Sequence, residues 1–112
     1  GFPGYYVQGD DMSEISREEG NAVVKPGQDI VASIARELRE ELKGLVAEGV
    51  QEMTMDLQGV EMVDSIGIGL LIAAHNSLAK SGGKLKVVNA TPDIFKLLKT
   101  MRLDQHFEIS GT

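Results

Sequence analysis

Apolar residues recur along this chain in two rhythms, every second position in short runs and every third or fourth in longer ones, and the two rhythms take turns. Ala22, Val23 and Val24 follow the turn residues Glu19, Gly20 and Asn21, which predicts a hairpin whose second strand stops at Pro26 and Gly27. Ile30, Ile34, Leu38, Leu42, Leu45 and Val46 then recur at helical spacing, with Arg36, Glu37, Arg39, Glu40 and Lys43 on the opposite face. Asp29 stands where an N-cap is wanted and Gly49 where the helix should end. Met53, Met55 and Leu57 alternate with Thr54 and Asp56, the signature of a strand with one apolar face.

The same alternation of rhythms continues in the second half. Leu70, Leu71, Ala74 and Leu78 form a helical stripe that closes at Ser81, Gly82 and Gly83, and Leu85, Val87 and Val88 predict another short strand. Thr91 followed by Pro92 reads as an N-cap with proline at the first helical position, and Ile94, Leu97, Leu98 and Met101 supply that helix's buried stripe. A last strand includes Phe107 and Ile109. The order β-β-α-β-α-β-α-β places a helix between successive strands, which favours right-handed crossovers. The expected fold class is α/β: a single domain over 12–112 with a mixed, mostly parallel sheet of four or five strands and the helices packed on one face. Ile34, Leu38, Leu42, Met55, Leu57, Leu71, Leu85, Val87, Leu97 and Leu98 form the expected core. Residues 1–11 show no sustained period and read as a flexible tail or linker remnant.

Composition narrows the function classes. With 112 residues, 42% hydrophobic and 25% charged, the chain is sized and composed for one globular core. Its 17 acidic and 11 basic residues give a formal charge of -6, so its surface repels a phosphate backbone and no direct nucleic-acid binding is expected. The charge is uneven: 1–64 hold 14 acids and 5 bases, whereas 65–112 hold 3 acids and 6 bases, so a partner meets two differently charged faces. There is no cysteine, which removes thiolate chemistry and fits a cytoplasmic location. The longest apolar run, 68–74, is far shorter than the ~20 residues that span a bilayer, so no membrane insertion is expected.

The candidate chemistry lies where a strand hands over to the second helix, in Asp64-Ser65-Ile66-Gly67-Ile68-Gly69. Two glycines there permit a sharp turn and close approach by another surface, and the first amides of the new helix favour an anion. Ser65 is then either a hydroxyl reachable by a kinase or a plain helix cap, with Asp64 accepting backbone N–H bonds. Nucleotide-binding and hydrolase patterns fit poorly: the position three after Gly69 is Ile72, no Walker lysine follows, and no glycine precedes Ser65 in the manner of a nucleophile elbow. His75 and His106 lie 31 positions apart without a metal-ligand pattern, and Asp56, Glu61 and Asp64 read as a solvated acidic edge. No enzyme activity, cofactor or metal is therefore expected.

From about residue 12 to residue 110 the chain resembles the STAS domain family, in particular the bacterial anti-sigma factor antagonists. Asp64-Ser65-Ile66-Gly67-Ile68-Gly69 is similar to the family's Asp-Ser/Thr-x-Gly-hydrophobic-Gly loop, set between a strand ending at Met62 and Val63 and an apolar helix. The stretch Lys84-Leu85-Lys86-Val87-Val88-Asn89 and the helix from Pro92 to Leu103 also look familial. Two departures stand out: Ile66 where many members carry Ser, Thr or Ala, and Gln28-Asp29-Ile30 in place of the commoner Gly-x-Leu-Asp start of the first helix. The resemblance implies an unmodified form that binds an anti-sigma factor serine kinase, phosphorylation of Ser65 by that kinase, weakened binding afterwards, and reversal by a PP2C-type phosphatase. It implies a partner-binding loop made of Asp64, Ser65, Ile66, Gly67, Ile68 and Gly69. The alternative it leaves open is a sensory or scaffolding domain of a larger signalling protein that is never phosphorylated on Ser65.

Overall fold

The computed structural model describes residues 4–7 and 13–112. The hairpin forms as the turn residues require: β2 (Glu14–Glu18) and β3 (Asn21–Lys25) pair antiparallel with Glu18 opposite Asn21. Three α-β units follow, namely α1 (Ala32–Ala47) and β4 (Glu52–Asp56), α2 (Ser65–Lys80) and β5 (Lys84–Ala90), then α3 (Pro92–Thr100) and β6 (Glu108–Gly111). A 3-10 turn, Leu103–Gln105, joins α3 to β6. β3, β4, β5 and β6 lie side by side in parallel, so each helix is a crossover between neighbouring strands. Successive crossovers that advance in one direction with one hand put their helices on one face of the sheet.

The five strands of the expected sheet, β2 to β6, are joined at the free edge of β2 by one more, β1 (Gly4–Val7), which pairs antiparallel with Gly4 opposite Arg17. The stretch read as a tail thus contributes a strand, and the other residues of 1–11 lie outside the described ones.

Side chains on the strands alternate as a one-sided sheet demands. Ile15, Ala22, Val24, Met53, Met55, Leu85 and Val87 are buried, while Val23, Thr54, Lys86 and Val88 on the other face are not. The buried face meets Leu38, Leu42 and Leu45 of α1, Leu71, Ala74 and Leu78 of α2, and Ile94 and Leu98 of α3. The open face stays polar: Lys86 on β5 pairs with Glu52 on β4 at 2.9 Å and reaches Glu108 on β6 at 3.8 Å. The Lys86 ammonium bonded to Glu52 holds that carboxyl below its ordinary range, and Lys86 is raised in turn.

Eight of the ten expected core residues are buried; Ile34 is half-buried and Leu97 is exposed, as is Met101. The stripe of α3 is narrower than its apolar content suggested. A nine-residue helix over the end of a sheet turns only Ile94 and Leu98 fully inward. Two further expectations change. Asp29 does not cap α1, because Ile30 is drawn into a β-bridge with Val63 and the helix starts two residues later, with Val31 at the cap and no side-chain bond from it. The strand expected to end at Met62 and Val63 ends at Asp56, since the backbone turns at 57–60, where Val60 N–H donates to the Leu57 carbonyl.

A buried carboxylate ties the hairpin to the helical layer. Glu41 of α1 accepts from Ser13 Oγ at 2.8 Å and from Ser13 N at 3.2 Å, and burial pushes its carboxyl above the ordinary carboxylate range despite these bonds. Arg17 on β2 pairs with Glu48 at the end of α1.

Candidate functional site

The candidate site sits at the C-terminal ends of the parallel strands, where the connection from β3 to α1 meets the longer one from β4 to α2. Polar backbone in such irregular segments needs partners, and here each segment supplies them for the other. Asp29 Oδ1 accepts from Glu61 N at 2.9 Å and from Met62 N at 3.0 Å. Ile30 N donates to the Met62 carbonyl at 3.0 Å, and the Ile30 carbonyl accepts from Asp64 N at 3.2 Å. Asp64 Oδ2 returns across the gap to accept from Ala32 N at 3.0 Å, the first residue of α1.

Asp64 is the N-cap of α2. Its Oδ1 accepts from Gly67 N at 2.8 Å, and its carbonyl accepts the first intrahelical bond, from Ile68 N at 2.9 Å. One carboxylate therefore holds amides in the first turns of two helices. Ser65 is not the cap; it is the first helical residue, exposed, and its hydroxyl makes no hydrogen bond among the described residues. The amides of Ser65 and Ile66 lie at the tip of the helix, where no intrahelical acceptor is available.

Gly67 is a packing requirement. A Cβ there would stand 2.2 Å from the Ile30 carbonyl oxygen and 2.8 Å from Val63 Cγ1, so only a bare backbone lets α2 seat against the neighbouring loop. Gly69 differs, since a Cβ there would meet nothing within 4 Å. It lies four residues after Ser65, on the same helix face, and leaves an uncluttered surface next to the hydroxyl. Ile68 is buried, whereas Ile66 is 46% exposed and Met62, at the other flank of Ser65, is 56% exposed.

The six residues of the motif thus divide by physical task. Asp64, Gly67 and Ile68 fix the start of α2, and Ser65, Ile66 and Gly69 face solvent. Sequence reasoning missed Asp29 as a partner of this loop and Met62 as its second exposed apolar group. Both depend on the bridge between Ile30 and Val63, a pairing across 33 positions with no local signal. Of the acidic edge, Asp56 is occupied by Gln58 N at 3.0 Å and Asn89 Nδ2 at 2.8 Å, while Glu61 is exposed. No group of three or more His, Cys, Asp or Glu among the described residues is placed to hold a metal ion. His75 and His106 do come together, with ring centroids 5.8 Å apart, and the buried Nδ1 of His75 has no hydrogen-bond partner among the described residues. No helix among the described residues is long and apolar enough to cross a membrane.

This geometry can be set beside known proteins. The family model of the STAS domain matches residues 13–112. The chain belongs to that family. This STAS domain is 27% identical over 98 residues to the anti-sigma-B factor antagonist of Bacillus subtilis, covering 88% of this chain and 89% of that protein. The crystal structure of an anti-sigma factor antagonist from Mycobacterium paratuberculosis superposes with a TM-score of 0.79 at 26% identity, covering 90% of this chain and 86% of that one. The fold is also that of the Bacillus protein SpoIIAA. Its unphosphorylated form gives a TM-score of 0.74 at 14% identity, over 89% of this chain and 88% of that one. Its phosphorylated form gives 0.72 at 14% identity, over 87% and 89%. The loop capped by Asp64 is thus a feature of a STAS domain whose relatives, by name, are anti-sigma factor antagonists.

Proposed function

We propose that this STAS domain is a phosphorylation-controlled protein-binding switch of the anti-sigma factor antagonist kind. In this reading the unmodified domain binds an anti-sigma factor serine kinase through 64–69, the kinase phosphorylates Ser65, the complex weakens, and a PP2C-type phosphatase restores the first state. The observation that carries it is the presentation of Ser65: an exposed hydroxyl with no hydrogen bond among the described residues, at the first position of a helix whose cap and third residue are bonded to each other beneath it. The names of its relatives, and the existence of SpoIIAA in unphosphorylated and phosphorylated forms, support the same role. Its output is control of a sigma factor in the cytoplasm, and it acts by binding rather than by catalysis.

The physics explains how one phosphate switches binding without refolding the domain. The group adds about -1.5 to -2 charges, which the helix N-terminus favours by about 0.3–1 kcal/mol when exposed. Asp64, one residue away, opposes it, and solvent and salt reduce that repulsion. The local effects largely offset each other. A partner surface seated on Met62 and Ile66 would instead have to accommodate a bulky, strongly hydrated anion between two apolar contacts.

Titration calorimetry against the anti-sigma factor serine kinase of the same genome tests the switch. Ser65→Ala is expected to bind as tightly as the unmodified wild type, and Ser65→Asp at least about tenfold more weakly, a difference of roughly 1.4 kcal/mol. Circular dichroism is expected to be the same for all three proteins. Equal affinities for wild type and Ser65→Asp, with both folded, would sink the switch and favour a sensory or scaffolding role.

A further inference from the structure

The stretch leading into Ser65 is held by an acid outside the loop itself. Met62 and its neighbours belong to no strand beyond the single bridge at Val63, yet Glu61, Met62 and Asp64 are each hydrogen-bonded through their backbone to 29–30. Asp29 takes the amides of Glu61 and Met62, and Ile30 takes the carbonyl of Met62 and the amide of Asp64. Of these contacts only the pair made by Asp29 comes from a side chain, so only it depends directly on residue identity. Its bonds are charge-assisted, the stronger class. Without the carboxylate, the two amides would turn to water and 61–62 would be held only by the bond from Ile30 N to the Met62 carbonyl.

We propose that Asp29 is a positioning residue for the Ser65 hydroxyl, holding 61–62 so that the cap at Asp64, and with it the first residue of α2, stays in one place for phosphoryl transfer. The proposal rests on the reading of Ser65 as phosphoacceptor. Transfer needs the attacking oxygen roughly in line with the leaving group, and a misplacement of about 1 Å by a residue remote from the chemistry lowers such rates by about 100-fold. A positioning role acts on turnover. A direct contact with the kinase would act on binding.

The test uses the full chain as wild type, Asp29→Ala and Asp29→Asn, with the anti-sigma factor serine kinase of the same genome, well below each protein's melting temperature. Asparagine keeps the Oδ1 acceptor and loses the charge. For Asp29→Ala, amide hydrogen exchange is expected to speed up at least tenfold at Glu61 and Met62 and to stay unchanged at Met53 and Met55. Its kcat for Ser65 phosphorylation is expected to fall about tenfold or more with KM within about twofold, and Asp29→Asn to recover most of that loss. An unchanged kcat in Asp29→Ala overturns the positioning role. So does a raised KM at unchanged kcat, which makes Asp29 a contact for the kinase, and so does an Asp29→Asn protein as slow as Asp29→Ala, since the retained Oδ1 acceptor would then not be what positions Ser65. A wild-type Ser65 that the kinase never modifies overturns the switch itself, and the positioning role falls with it.

Discussion

Helices α2 and α3 begin at the same end of the sheet, after neighbouring parallel strands, yet their starts are built differently. β5 passes to α3 through Thr91 alone, whose Oγ1 accepts from Ile94 N at 3.3 Å while Pro92 sets the first helical residue. Everything that start needs lies within four residues. β4 reaches α2 through the eight residues 57–64, and the partners that hold the last four of them, Asp29 and Ile30 in another connection and Ala32 at the start of α1, lie about thirty positions away. The short start serves the fold. The long one presents a hydroxyl, an exposed pair of apolar side chains and a bare glycine, which is the division expected when a rigid scaffold carries a functional loop.

The contrast is sharpest at Gly67. Substituting alanine forces a Cβ onto the Ile30 carbonyl, backbone against backbone, with no flexible side chain to give way. Gly67→Ala is expected to lower stability by about 3 kcal/mol, near the upper end for overpacking, whereas Gly69→Ala, two residues on in open space, is expected to gain about 0.5–1 kcal/mol of helix propensity. Paired urea melts read both. A mild Gly67→Ala would mean that the two connections are not wedged together.

Capping gives the next largest difference. Asp64→Ala leaves the amides of both Gly67 and Ala32 without their acceptor and is expected to cost about 2 kcal/mol, against about 1 kcal/mol for Thr91→Ala, which frees only Ile94 N. Equal losses in thermal melts would reduce Asp64 to an ordinary single cap.

The smallest effect concerns a third way of holding a segment from a distance, the Glu41 bonds to Ser13. Burial raises the Glu41 carboxyl above 4.5, so the folded state binds its proton more readily than the unfolded chain does. That contribution is complete below pH 4.5 and is lost as pH rises through the raised value. Glu41→Gln removes the titration while keeping an acceptor for Ser13. Its melting temperature is therefore expected to gain on that of wild type as pH rises from 4.5 and then to hold a constant offset. A pH-independent difference would show that the carboxyl is not perturbed by folding.

These two helix starts also measure how far the sequence could be read. The α3 start was legible because its determinants are consecutive, Thr91 and Pro92 before Ile94. The motif around Ser65 was legible as residue types, and Asp64 as an acceptor of backbone N–H bonds. What held the motif was not. Nothing near Asp29 distinguishes a carboxylate that caps its own helix from one that reaches across to Glu61 and Met62, because both uses satisfy free amides. Val63 looked like a strand end for a similar reason: a buried residue of high strand propensity does make a bridge, but with Ile30 alone. Leu97 and Met101 fit a helical stripe by spacing, yet α3 buries only Ile94 and Leu98, and Met101 stands at its C-cap.

The sheet's strand order repeats its chain order without a single interchange, from β1 through β6. Each strand finds its next neighbour one hairpin or one crossover away, so every strand pairing closes the shortest loop its direction allows. A chain emerging from the ribosome can add each α-β unit to a completed edge, with no slot held open for a later strand. The loop around Ser65 would then take its final shape as soon as α2 docks, because its partners at 29–32 have already been synthesised, and before β6 exists.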